Sequence, residues 1–504
     1  MVVKIILSLI FLFSYVFSTE IISAWDVNVG KINPHLYSPN QMYAQVMIYQ
    51  GLVRYTEEGI QPEIAESWEI SNEGKTYTFH IKRDLKFSDG SPLDAYAIQS
   101  NFDAILENKS RHSWLGITNK IKSYKALNPL VFELELNSPY VATLNELSLA
   151  RPFRIIAQNA MINKSTKDGI RAPIGSGAFM LEESVLGVRD VFVPNPYFSG
   201  KKPQISRLVM KILPDAHARI LAFESGALDI LVGRDSISRE NFKRLSQNTK
   251  YQTITSKPQG TFQIVLNASK DRPTSNKDLR KAIIMAVNKN LIWEKILLQI
   301  DPKADFLFNP LLSFSNVGLE KVPFNVAEAK RLLKDKKFKS LEFVYIANNP
   351  IQKAIAEAIA LDLSKIGLEI RLVASESIGF YQSQKNGNFD LIFNDTWGNP
   401  YDPYSFIASM LVPSHADFTI QKDLTNKKDI DANIYRILNA YGDKELQQEY
   451  TNLLTALHQS DIYLPLAYTL VLGVYRKDKI QSYHFGNMES EFLFEELEMR
   501  KKRE

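Results

Sequence analysis

Cysteine is absent from all 504 residues. The chain therefore has no disulfide, no thiolate for a metal and no N-terminal cysteine that could carry a lipid. Net charge is also nearly absent: 60 Lys and Arg stand against 56 Asp and Glu, for a formal charge of +4. The one basic run is Arg500–Arg503, which reads as a solvated tail. This balance gives no electrostatic case for a nucleic-acid partner. Enzyme signatures are missing too. There is no Gly-x-Ser-x-Gly elbow, no His-Glu-x-x-His and no phosphate-loop lysine. The Gly-rich stretch Ala172–Phe179 (APIGSGAF) matches neither the phosphate-loop nor the dinucleotide pattern. The histidines are His35, His80, His112, His217, His415, His458 and His484, and no two of them stand at i, i+4. A preformed multi-histidine site is therefore unsupported, and with it a secreted metallohydrolase. Repeats and low-complexity linkers are absent.

What is present begins with an apolar run, Ile5–Phe17, preceded by Lys4. It is shorter than the roughly 20 residues that span a bilayer. Val16-Phe17-Ser18 fits the small-residue pattern of a secretory cleavage site, with cleavage expected after Ser18. A leader without a following cysteine predicts release as a soluble protein into a bacterial periplasm. The chain as a whole has the 45% hydrophobic and 23% charged content of an ordinary soluble protein. It is too long for one simple core, so two or three domains are expected.

Past the leader, a short strand, a Pro/Gly/Asn loop and an apolar helix containing Met42, Val46 and Met47 are expected. Tyr37 and Met42 lie at the loop and its exit and suit either a pocket or a core. Tyr77, Phe79 and Ile81 alternate with polar residues as a half-buried strand. A helix is expected from Pro92 to about Asn108, with proline in its first turn. Strands at 339–347 and 368–373 around a helix at 351–366 form a βαβ pattern, which makes that half α/β. A strand at 389–393 follows. Leu446, Tyr450, Leu453, Leu454 and Leu457 mark a last amphipathic helix.

The stretch Phe393–Phe418 concentrates a tryptophan, several tyrosines and phenylalanines, turn residues and His415. Aromatics on a turn-rich loop suit the wall of a ligand pocket, and an ordinary loop with core aromatics explains them equally. His415 can donate one imidazole to a metal whose other donors come from elsewhere, such as a small chelator. Arg111 near Trp114, and Arg151 beside Pro152, suit bidentate recognition of carboxylates. Surface ion pairing is the alternative for both arginines.

The segment 65–93, AESWEISNEGKTYTFHIKRDLKFSDGSPL, closely resembles the signature of the family 5 extracellular solute-binding proteins of ABC importers for dipeptides, oligopeptides and nickel. APIGSGAF, FESGALDIL (223–231), PTSNKDLRKAIIMAVNKNLI (273–292), IAEAIALDLSKIGLEIRL (355–372) and YLPLAY (463–468) extend the resemblance over essentially the whole mature chain. Segments 24–45, 111–115 (RHSWL), 150–157 (ARPFRIIA) and 396–417 are similar to the nickel-binding branch of the family. That resemblance implies a periplasmic receptor, not an enzyme, which captures nickel(II) with a small chelator such as L-histidine and delivers it to a permease with its ATPase subunits. A dipeptide or oligopeptide receptor, with Asp402 recruited to the peptide amine, is the alternative. The implied site is Arg111 and Arg151 on ligand carboxylates, His415 on the metal, and Tyr37, Met42, Trp114, Trp397 and Tyr401 as pocket walls. Ser490 is the implied pocket hydroxyl, and His484 shares or replaces the role of His415. The chain departs from the branch at Tyr404 and Leu411, where a histidine and an arginine are expected. The implied fold is the two-lobed α/β periplasmic binding protein fold, type II in its large cluster C form, acting as a monomer. Lobe I is expected over 19–255 and 469–504, with an extra subdomain near 60–170, and lobe II over 256–468. Two crossing strands form the hinge.

Overall fold

The computed structural model describes residues 19–501 except 37–41, 113–114, 234–235, 398–402, 414, 441 and 489–490. The expected leader, 1–18, lies outside the described residues. Among the described residues no helix is long and apolar enough to cross a membrane.

The first part of the chain builds a four-stranded sheet. Strand Glu20–Trp25 runs parallel to Arg207–Ile212, which continues antiparallel to Arg189–Pro194 and then Phe179–Val185. The helix Met42–Ile48 packs beside it and buries Tyr43, Ala44, Met47 and Ile48. The Gly-rich stretch 172–179 now has a structural reason. A Cβ on Gly175 or Gly177 would collide with the backbone oxygens of Ile48 and Met47. Gly177 N–H instead donates to Ile48 C=O at 2.8 Å. Those glycines let the backbone lie against the helix that begins with Met42.

An inserted antiparallel sheet has the order Ala65–Ser71, Thr76–Ile81, Val131–Leu136 and Ile121–Asn128. Along its second strand Tyr77, Phe79 and Ile81 are buried and the residues between them are half-buried, as period-two alternation requires. The helix expected from Pro92 starts later, at Ala95. Asp94 accepts from Ala97 N–H at 2.9 Å and supplies the N-cap. Pro92 belongs instead to a bridge with Lys86. The helix drives Phe102 onto Phe132, ring centroids 4.9 Å apart.

The second lobe is organised on a five-stranded sheet with the order Ile370–Ser375, Leu341–Ile346, Leu391–Asp395, Gly260–Leu266 and Tyr463–Thr469. The first two strands are parallel and flank the helix Pro350–Ser364, as the βαβ pattern predicts. Asn349 caps that helix and Pro350 opens it. The helix Asp443–Gln459 buries Leu446, Tyr450, Leu453, Leu454 and Leu457 on one face.

Two segments join the lobes. Tyr251–Thr255 and Leu472–Arg476 pair in a three-stranded sheet with Ile230–Val232. Just beyond them, Gly260–Leu266 and Tyr463–Thr469 pair in the five-stranded sheet. The crossings are bonded to each other. Ser256 N–H donates to Val471 C=O at 2.9 Å and Gln259 N–H to Thr469 C=O at 2.8 Å. Asp301, buried, holds the return crossing through Leu470 N–H at 3.0 Å and takes the Arg239 guanidinium at 2.6 Å. Gly260 leaves no room for a side chain, because its Cβ would lie 2.7 Å from Thr396 C=O. Away from this hinge, Val141 N–H donates to Leu438 C=O and Lys120 Nζ to Asn439 Oδ1, each at 3.2 Å. The segments flanking the inserted sheet thus touch the helix Lys427–Asn439.

Candidate functional site: an arginine side and an imidazole side

One side of the site grows from the end of strand Glu20–Trp25. Trp25, Tyr43 and Phe492 form an aromatic cluster, with ring centroids 5.1, 5.4 and 5.3 Å apart. This cluster brings the C-terminal segment beside the start of the helix that carries Met42. Against Met42 lies Arg151. It is only 6% exposed, and its Nη2 donates to the Met42 sulfur at 3.2 Å. A thioether is a weak acceptor, and this contact helps to orient the guanidinium. Arg111 sits in the short 3-10 turn Lys109–His112 and is exposed.

Two histidines, His35 and His112, are buried in the same part of the chain. His35 is satisfied on both nitrogens, by Thr166 Oγ1 at 2.9 Å and Arg154 C=O at 3.0 Å. A carbonyl only accepts, so Nε2 carries the proton and Nδ1 accepts from the Thr166 hydroxyl. Burial holds this imidazole near 4, well below the usual histidine value. His112 is also buried and is likewise held near 4, first by burial and then by the charges of Arg111 and Arg151.

The other side is built on the five-stranded sheet. Strand Leu391–Asp395 delivers the chain to Trp397. Thr396 pins this exit to the crossing segment: its N–H donates to Thr261 C=O at 3.0 Å and its hydroxyl accepts from Thr261 N–H at 2.8 Å. Trp397 lines a crevice with Gln259, Gly260, Phe308, Leu312 and Pro403, so its indole borders the hinge. It packs edge-on against Phe406 at 6.4 Å and stacks on His415 at 5.9 Å, with the latter planes 24° apart. His415 occupies the N-cap of helix Ala416–Gln421 without using its side chain as a cap. Its imidazole is half-buried and burial lowers its pKa, so it is neutral at pH 7 with a lone pair available. Beneath it Asp417 is held by Tyr463 OH at 2.8 Å and Asn394 Nδ2 at 3.2 Å. Burial raises that carboxyl to about 6.

The structure thus joins Arg151 with Met42, and Trp397 with His415. Tyr37, Trp114, Tyr401 and Ser490 lie outside the described residues, as does Asp402. His484 is exposed on the segment after strand Ile480–Ser482. Tyr404 is buried edge-on against Tyr450 at 5.8 Å and belongs to the core. Among the described residues no group of three or more His, Asp and Glu forms a metal cage. Sequence reasoning missed the Trp25–Tyr43–Phe492 cluster, the buried state of His112 and the role of Asp301 at the hinge. The one local signal was the apolar company of Trp25 and Tyr43. The other two depend on distant contacts.

The family description "Bacterial extracellular solute-binding proteins, family 5 Middle" matches residues 59–418. The chain is 40% identical over 495 residues to the nickel-binding periplasmic protein of Escherichia coli (strain K12), a match that covers 95% of this chain and 94% of that one. It superposes with a TM-score of 0.92 on the crystal structure of NikA from Brucella suis in complex with Fe(III)-EDTA, at 39% identity over 95% of this chain and 100% of the other. NikZ from Campylobacter jejuni in complex with Ni(L-His) superposes with a TM-score of 0.77 at 20% identity, over 95% and 98% of the two chains, which is a likeness of fold.

Proposed function

This chain belongs to the bacterial extracellular solute-binding proteins of family 5, which are binding receptors and not enzymes, and from that premise we propose that it captures nickel(II) as a small-molecule chelate for import. Members of the family are the substrate-binding components of ABC importers and work with permease and ATPase subunits. The fold is the two-lobed α/β fold of the type II periplasmic binding proteins.

The observation that carries the reading is the division of chemistry between the two sides. Arg151, held on Met42, and the exposed Arg111 offer cationic donors for carboxylates. His415, stacked on Trp397 and kept neutral by burial, offers one borderline nitrogen donor suited to nickel. A bare divalent ion would gain one imidazole from His415 and repulsion from the arginines. A carboxylate chelate suits both sides, since its oxygens meet the guanidiniums while an open coordination position meets the imidazole. Free L-histidine has this character, and the name of the E. coli relative supports nickel as the cargo. Tyr37, Trp114 and Tyr401 complete the aromatic wall in this reading, with Ser490 as a further hydroxyl. His484 is the alternative donor should His415 not reach the metal.

We place lobe I at 19–255 with 469–504, including the inserted subdomain near 60–170, and lobe II at 256–468. The pairing of 251–255 with 472–476, and of 260–266 with 463–469, supports those limits. A chelate touching both lobes favours the closed form, which a permease can distinguish from the open one. Cleavage after Ser18 would leave the receptor soluble and monomeric in the periplasm, where the E. coli relative is placed by its name. Isothermal calorimetry tests the binding claim. Nickel with L-histidine should bind at one site, while nickel alone and L-histidine alone bind far more weakly. Equal heats with and without the chelator, or metal-independent binding of peptides, overturn it.

A further inference from the structure

His415 is carried by a short helix, and one buried carboxylate ties that helix to the sheet beneath it. Asp417, 3% exposed, lies two residues beyond His415 in the helix Ala416–Gln421. Its Oδ1 accepts from Tyr463 OH at 2.8 Å and its Oδ2 from Asn394 Nδ2 at 3.2 Å. Tyr463 begins the strand Tyr463–Thr469, which runs into the hinge. Asn394 stands on the strand Leu391–Asp395, three residues before Trp397. The Tyr463 hydroxyl also accepts from Gln421 Nε2 at 3.0 Å, so the first and last turns of the helix meet on one phenol.

A helix of six residues does not hold itself in place, and its position comes from such contacts. The far end is fastened by Ala268 N–H to Ile420 C=O and by the Ser269 hydroxyl to Thr419 C=O, each at 3.2 Å. At the near end His415 N–H donates to Val412 C=O at 3.0 Å, and His415 C=O accepts from Thr419 N–H at 3.2 Å. The imidazole does not cap the helix and stacks on Trp397. Two links therefore join the segment that carries the imidazole to the segment that carries the indole. One is the ring stack, and the other is the Asn394–Asp417 hydrogen bond. A stack by itself lets one ring slide over the other. A directional bond a few residues away removes much of that freedom. A carboxylate suits the task because both of its oxygens accept, one from each strand.

We propose that Asp417 is a positioning residue that holds the His415 turn on Asn394 and Tyr463, and so sets where the imidazole meets the metal. The inference rests on the nickel-chelate reading above, with His415 as the donor. Asp417 is buried and acts on the metal through His415.

The test uses the full-length mature protein, the variants D417N, Y463F and H415A, and the double variants D417N/H415A and Y463F/H415A. Melting of the ligand-free proteins is compared first. Calorimetry with nickel plus L-histidine follows, and nickel X-ray absorption counts the imidazoles on the metal. D417N and Y463F should each weaken nickel–histidine binding about tenfold, the low end for groups that orient metal ligands. Absorption should show less imidazole on the metal in both than in the wild type. In the H415A background D417N should change the affinity by less than about twofold, because the donor it orients is gone. Where D417N fails to fold, Y463F and Y463F/H415A carry the same comparison, since Phe fills the space of Tyr. Wild-type affinity in both D417N and Y463F overturns the proposal. So does a loss from D417N or Y463F that is as large without His415 as with it, which marks a purely structural role. No heat from a normally melting wild type is the failure of the chelate reading itself. Full affinity in H415A removes His415 as the donor and the role of Asp417 with it.

Discussion

His415 and Trp397 stack, their ring centroids 5.9 Å apart and their planes 24° from parallel. The indole restricts the imidazole to a narrow range of orientations, and the burial that comes with it keeps the ring neutral. H415A should therefore weaken nickel–histidine binding by about 10- to 100-fold, the range seen even for groups one step removed from a metal. W397L leaves the donor in place but loses its platform. It should weaken binding by about 0.5–1.5 kcal/mol, the worth of an aromatic pair beyond its buried area. Calorimetry on both variants checks the order. A larger loss in W397L than in H415A would contradict it.

Arg151 and Met42 make a second such pair, with the guanidinium turned onto the sulfur. R151A removes a charged partner of a carboxylate and should weaken chelate binding by about 1.5–3 kcal/mol. R151K keeps the charge but loses the planar fork, so it should recover only part of that loss. M42A should cost less, because it frees the fork without removing it. Binding titrations with nickel–histidine rank the three. An R151K variant as tight as the wild type would show that charge alone matters.

The buried histidines predict a pH dependence of stability with a definite sign. His35 and His112 sit near 4 in the fold, against about 6.5 for an unfolded histidine. Between those values the unfolded chain binds protons that the folded chain refuses. The contribution of these two histidines to stability is complete above about pH 6.5 and is lost as pH falls toward 4. Buried Glu146 and Glu495, raised to about 7, work the other way and lose stability as pH rises toward 7. A difference experiment separates the terms. Between pH 7 and pH 4, H112F should lose up to about 3 kcal/mol less than the wild type in urea unfolding. Parallel profiles for the two proteins would contradict the sign.

Asp301 ties Arg239 to the returning crossover at Leu470. D301A leaves the guanidinium and the half-buried Leu470 N–H without their acceptor and should destabilise the protein by about 3 kcal/mol. D301N can still accept from Leu470 and should lose less. Denaturant midpoints measure both. A D301A midpoint within error of the wild type would remove Asp301 from the account of the hinge.

Local pattern was legible in the sequence, and distant contact was not. Leu446, Tyr450, Leu453, Leu454 and Leu457 repeat at helical spacing because one face of Asp443–Gln459 packs inward, and periodicity reports that directly. Tyr77, Phe79 and Ile81 announce their strand for the same reason. The helix starts at Ala95 and not at Pro92 because proline in a first turn and aspartate at an N-cap compete for the same signal, and here Asp94 wins. The hinge depends on Ser256 meeting Val471 and Asp301 meeting Leu470, pairings across long separations that no window of sequence contains. His112 shows the same limit. Its neighbours in the chain are Arg111 and Ser113, while its burial and the influence of Arg151 on its charge arise only in the folded chain.

In the proposed complex metal and chelator are held together, one by the imidazole side and the other by the arginine side. Native mass spectrometry of the mature protein with nickel and L-histidine reads this directly. Nickel and histidine should appear on the protein as one adduct, with neither retained alone after buffer exchange. A stable adduct of nickel without histidine would contradict it.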